Sequence, residues 1–156
     1  MTKPTADDVR KTTMGVVANA HIVYIETARG CCGDAGLEAI AAANIAHGLE
    51  LGMEGVSQGS LRKGDLKSIY EFFEAGHPYF GFELEIDELT DNKIDMKVTS
   101  CPWIDTFRAR GANEDICYWV TKIDEGIGHA VDPDLVMTLP MCMMRGDDYC
   151  IYRYEK

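Results

Sequence analysis

Basic runs are nearly missing from this sequence. None is longer than two residues, as at Arg62-Lys63, and the formal net charge is −11 over 156 residues. Such a field repels polyanions, so neither nucleic acid nor an anionic membrane surface is expected as a partner. Long apolar runs are missing too, and nothing approaches the roughly 20 residues needed to span a bilayer. The N-terminus, Thr2-Lys3-Pro4-Thr5-Ala6-Asp7-Asp8, lacks the charged-then-apolar pattern of an export signal. A cytoplasmic protein is therefore expected. Internal repeats, low-complexity segments and an obvious linker are also lacking, so residues 1–156 are expected to form a single domain.

What is present suits a folded globule. Hydrophobic residues make up 46% of the chain, enough to build a core without disulfide staples. There are six cysteines, and in a reducing compartment they read as thiols or metal ligands. Four fall late in the chain, at Cys101, Cys117, Cys142 and Cys150, which points to a site assembled from the C-terminal half.

The pattern predicts an α+β fold, with N-terminal helices packed on an antiparallel sheet formed mainly by the C-terminal half. The helical part covers about 5–76 and the sheet-rich part about 80–155. Thr5 can cap a first helix that Gly30 stops, and Asp34 a second that runs through Leu37 to Leu51. A third is expected at about Leu66 to Ala75, with Gly76-His77-Pro78 as its break. Phe80, Phe82, Leu84 and Ile86 alternate as in a strand, and Ile94 to Ser100 makes the return. Helices are expected from Trp103 to Arg110 and from about Asn113 to Glu125. Leu135 to Met143 and Tyr149 to Tyr154 read as strands, the first at an edge because Pro140 cannot donate to a ladder.

Several residues could carry chemistry. Cys117, Cys142 and Cys150 could hold zinc, with Cys101, Asp132 or Asp134 as a fourth ligand. Packing as small apolar residues is the plainer account of them. Cys101 ends a strand ahead of a helix, a place where the dipole favours a thiolate nucleophile. A base would have to come from His47, His77 or His129, the last expected in a loop. Asp124, at the close of an apolar helix, is an acid in an unfavourable place and so a candidate with a specific partner. Arg108 and Arg145 could grip a substrate carboxylate by a forked contact. Phe72, Phe73, Tyr79 and Trp119 could line a pocket. The vicinal Cys31-Cys32 pair is either a reactive loop or packing between two helices.

The run Cys101-Pro102-Trp103-Ile104-Asp105-Thr106-Phe107, then Gly111, Cys117, Ile123-Asp124 and the stretch from Cys142 through Arg145-Gly146-Asp147-Asp148 to Cys150 resembles the L-2-amino-thiazoline-4-carboxylic acid hydrolase family. The resemblance covers about residues 95 to 155. It implies a hydrolase that opens a small nitrogen- and sulfur-containing ring or amidine by adding water to the carbon between the heteroatoms. Cys101, Asp124 and His47 are then the candidate catalytic groups, and Arg108, Arg145 and Trp119 the substrate contacts. The cysteine pattern is also similar to vinyl-4-reductase-like small-molecule-binding domains. That likeness implies zinc on Cys117, Cys142 and Cys150 beside a ligand pocket, without turnover. Pro140 and Met141 stand where an acid would precede Cys142, which leaves the fourth ligand open. A homo-oligomer is compatible with either reading.

Overall fold

The computed structural model describes residues 3–156. The chain is α+β, and its element order follows from where apolar residues recur and where glycine interrupts them. Helix α1 (Ala6–Gln58) opens with a capping box, in which Thr5 accepts from the Asp8 amide while Asp8 accepts from the Thr5 amide. It is two arms rather than one rod. Gly33 has φ 57° and ψ −140°, a conformation only glycine holds without strain. The arms fold back on each other there. Nearer the tip, Gly36 lies so close to Ala28 that a Cβ would strike its carbonyl. Two N-terminal helices were expected, and the break falls at Gly33 in place of Gly30.

Helix α2 (Lys67–Phe80) continues through Gly76-His77-Pro78, where a break was expected. Pro78 falls in the last turn and removes only one amide there, so the helix stops at Gly81, which takes the left-handed cap. Strand β1 (Glu83–Leu89) therefore starts after Phe80 and Phe82, and it pairs with β2 (Lys93–Ser100). Short helices α3 (Ile104–Ala109) and α4 (Ile116–Val120) follow, then α5 (Lys122–Val131). The single helix expected from Asn113 to Glu125 is thus two, parted at Thr121, whose hydroxyl donates to the Cys117 carbonyl. Strand β3 (Val136–Thr138) is only the start of the strand expected to reach Met143; Met143–Arg145 forms a single 3₁₀ turn instead. Strand β4 (Cys150–Glu155) completes a four-stranded antiparallel sheet of order β1-β2-β4-β3.

Register divides the sheet by face. Ile94, Met96 and Val98 stand opposite Tyr154, Tyr152 and Cys150 and lie under the helices. The other face carries charge, paired across strands as Lys97–Glu85 and as a forked Arg153–Asp95 contact at 2.6 and 2.8 Å. Two apolar cores result. One joins both arms of α1 to α3, α4 and the cysteine-bearing segments; the other joins α2 and α5 to the sheet centre. Helix α5 lies against the second arm of α1 at Gly48 and Gly126. A Cβ on either would enter the backbone of the opposite helix, so the axes come closer than ordinary side chains allow. Among the described residues no helix is long and apolar enough to cross a membrane.

Candidate functional site

At the seam between the two cores lies a pocket of about 390 Å³. The α1 arms supply Met14, Val17 and Leu51, and α2 supplies Phe72, Phe73, His77 and Phe80. Phe82 and Trp103 close one side, and Ile123, Asp124 and Ile127 of α5 the other. Asp124 is the pocket's only acid, and the lining contains no Lys or Arg. Its carboxyl is pushed up to about 7 by desolvation alone, since no charge or hydrogen bond offsets the apolar surroundings. A carboxyl poised near neutrality can both take and return a proton. The backbone around it is fixed, because Tyr154, fully buried, donates its hydroxyl to the Asp124 carbonyl at 3.0 Å.

Asp124 is not at a helix end that opposes it, as the sequence suggested. It lies in the first turn of α5, the electrostatically favourable end for an acid. Burial, not the helix dipole, is what perturbs it. His77 faces the same pocket and is driven down to about 4 by burial, so it is a neutral imidazole at physiological pH. Trp103 is held by edge contacts to His21 and Phe82, with ring centroids 4.8 and 5.2 Å away, and its indole N–H is buried without a hydrogen-bond partner.

The other anticipated residues lie elsewhere. His47 is exposed on α1, with Nδ1 3.9 Å from Glu50, and does not reach the pocket. Arg108 donates to the Met143 carbonyl at 2.6 Å, and Arg145 donates to the Leu139 carbonyl. Each commits one guanidinium N–H to the backbone. Trp119 donates to Asp115 at 2.9 Å and packs against the first core, while Tyr79 is exposed. Of the four aromatics expected in a pocket, only Phe72 and Phe73 line this one. His129 is within α5, not in a loop, and bonds the Leu135 carbonyl at 3.0 Å.

The late cysteines do gather. Cys142 lies with Cys117 and Cys150, whose thiols pull it well below the usual thiol range while it raises its two neighbours. With Cys101 and Tyr152, Cys117 and Cys150 line a tight void behind Trp103. The Met143 amide donates to the Cys150 sulfur at 3.3 Å, and the Cys142 amide to Asp147 at 2.7 Å, so the turn is built around these residues. Soft thiolates are suitable zinc donors. Yet among the described residues no group of three or more His, Cys, Asp or Glu side chains is arranged to hold a metal ion. The backbone amides of Trp103 and Ile104 favour a thiolate at Cys101, but burial outweighs them and pushes its thiol up to about 11.

A family model for L-2-amino-thiazoline-4-carboxylic acid hydrolase matches residues 13–154. The chain belongs to that family. The match takes in the helical hairpin as well as the cysteine-bearing half, so in this hydrolase-family chain both walls of the pocket fall inside the family region. No curated protein matches the chain. The pocket contributors that sequence reasoning passed over are Met14, Val17, Leu51 and Trp103. The first three looked like ordinary core positions. Trp103 was signalled only by its place in the Cys101-Pro102-Trp103 motif.

Proposed function

We propose that the chain is a hydrolase that opens a small nitrogen- or sulfur-containing ring or amidine, with Asp124 as its acid–base group. One observation carries this reading: a single carboxyl, raised to about 7, stands in an otherwise apolar pocket inside the family region. Water adds to the carbon between the two ring heteroatoms, and Asp124 accepts the proton that the water gives up. The carboxylic acid so formed returns a proton to the ring heteroatom as its bond to that carbon breaks, and the added hydroxyl passes its own proton to the leaving group as it becomes the carbonyl. The ring opens and Asp124 is ionised again, ready for the next turnover. The same carboxyl serves in both directions because its affinity for a proton matches the medium.

Phe80, Phe82 and Trp103 exclude bulk water from the ring and strengthen any charge interaction with Asp124. The buried Trp103 N–H is a donor available to an acceptor atom of the substrate. His77, neutral, shapes the wall and transfers no proton in this scheme. Cys101 is a packing thiol beside the site: at neutral pH its high proton affinity keeps it un-ionised, which disfavours nucleophilic attack.

The decisive variant is Asp124→Asn. It is expected to lower kcat/KM on an aminothiazoline by about 10²–10⁴-fold, the usual weight of an acid–base group, with an unchanged circular dichroism spectrum. Turnover within a few fold of the parent would remove Asp124 from the mechanism.

A further inference from the structure

We infer that Cys31 and Cys32 form a two-thiol site at the exposed tip of the helical hairpin, placed to chelate a soft trivalent centre of the organoarsenical class. The site is separate from the pocket around Asp124, whose lining includes neither cysteine. Geometry carries the argument. Both thiols are free and exposed, and their sulfurs stand 2.8 Å apart. Consecutive side chains on a helix diverge by about 100°, so two sulfurs in contact there need a cause. The Cys31 thiol is drawn back along the helix to the Ala28 carbonyl, at 3.6 Å. Cys32 is confined by the returning arm, since a Cβ on Gly36 would lie 3.0 Å from the Cys32 Cβ. The pair therefore converges before any ligand arrives. Space around it is open: beyond the immediate neighbours, a Cβ on the flanking Gly30 or Gly33 would meet no heavy atom within 4 Å.

Three other fates fit this bite less well. A disulfide between adjacent residues must close over Cα atoms only about 3.8 Å apart, against the usual range of about 4.4–6.8 Å, and is strained. Tetrahedral zinc, at a bond length of about 2.3 Å, sets its sulfurs about 3.8 Å apart and takes four ligands. Among the described residues no group of three or more His, Cys, Asp or Glu side chains is placed to complete that set. Linear copper(I) spreads its two sulfurs further still. A pyramidal trivalent arsenic has bonds near right angles, the narrowest bite of these, and it brings its third ligand as its own organic group. Its softness matches sulfur. With an organoarsenic(III) oxide, each sulfur forms one bond to arsenic as the arsenic–oxygen double bond is lost. The two thiol protons leave with the oxygen as water, and nothing is oxidised or reduced.

The test adds one equivalent of phenylarsine oxide to the intact, reduced protein with a monothiol in excess, and follows binding by mass spectrometry of the chain and its tryptic peptides. One adduct is expected on peptide 30–62, with the free-thiol count of six lowered by two. Addition of 2,3-dimercaptopropanol should release it. Cys31→Ser and Cys32→Ser each leave a single sulfur. Each is expected to weaken retention about 10²–10⁴-fold, the gain that a second, intramolecular contact supplies. Both positions are exposed, so the circular dichroism spectrum should not change. Retention equal to the parent's in either variant overturns the inference, and so does an adduct on Cys101, Cys117, Cys142 or Cys150. Conversion of the pair to a disulfide in place of the adduct overturns it too.

Discussion

A carboxyl and two imidazoles with displaced proton affinities make the pH response of this protein legible residue by residue. Asp124 has a folded-state value of about 7, above the ordinary 3.8. Its stability contribution is present in full below pH 3.8 and is lost as pH rises through about 7, because the folded state then holds a desolvated charge. Asp124→Asn should therefore stabilise the fold at pH 8 by on the order of 1–3 kcal/mol, part of the shift being screened by water at the pocket mouth. Urea midpoints at pH 5 and pH 8 would check this; equal gains at both would show that Asp124 does not titrate between them. Loss of activity with gain in stability is the signature of a strained functional group. Cys101 makes the opposite case. With its thiol up at about 11, Cys101→Ser is expected to keep turnover within about threefold, whereas an ionised nucleophile would lose about two orders of magnitude or more. Mass spectrometry after brief alkylation should find Cys31 and Cys32, which are exposed, labelled before Cys101, Cys142 or Cys150.

Close helix packing at the Gly48–Gly126 crossing places the acid at the scale of elements. Helix α5 carries Asp124 two residues before Gly126, where it lies backbone-to-backbone against Ile45 and Gly48. Gly126→Ala would push α5 off the hairpin, and a loss of about 3 kcal/mol in chemical denaturation is expected from overpacking. Activity should fall further than stability explains, since the pocket wall moves with the helix. The helical hairpin was expected from the sequence because glycines and capping residues punctuate it locally. Its true hinge, Gly33, could not be separated from Gly30 on local grounds, for only the returning arm requires the extended positive-φ geometry. The same limit applies to Pro78: in the last turn it costs a single hydrogen bond, and packing of Phe73 and His77 carries the helix past it.

For the molecule as a whole, His21 and His77 set the acid limb of stability. Burial holds both down to about 4, against 6.5 when exposed. Their contribution is present above pH 6.5 and is lost as pH falls through about 4, because the unfolded chain gains protons that the folded one refuses. Asp124 pulls the other way across that window. Two imidazoles outweigh one carboxyl, so these groups together give a stability that climbs from about pH 4 to pH 6.5. Asp124→Asn should steepen the climb, and His77→Gln should flatten it; urea titrations across that range would read both, and a His77→Gln profile parallel to the parent would show that His77 titrates normally. The charged face of the sheet contributes through Arg153 and Asp95. Arg153→Ala leaves Asp95, nearly fully buried, without its forked partner, a change that costs about 3–5 kcal/mol in comparable buried pairs.

Composition and periodicity by themselves determined the α+β class, the two N-terminal helical arms, the β1–β2 hairpin and the exclusion of a membrane-crossing helix. Each of those follows from the spacing of apolar residues over a few turns or a few pleats, which is local information. The same reasoning singled out Asp124 as an unusual acid and brought Cys117, Cys142 and Cys150 to one place. Only the tertiary structure decided what surrounds them. The pocket draws its wall from residues as distant as Met14 and Ile127, and His47, Arg108, Arg145 and Trp119 were drawn off to other partners. Desolvation depends on everything packed around a group, whatever its distance along the chain. That is why the aspartate singled out in the sequence carries a carboxyl raised to about 7, and the motif cysteine a thiol raised to about 11.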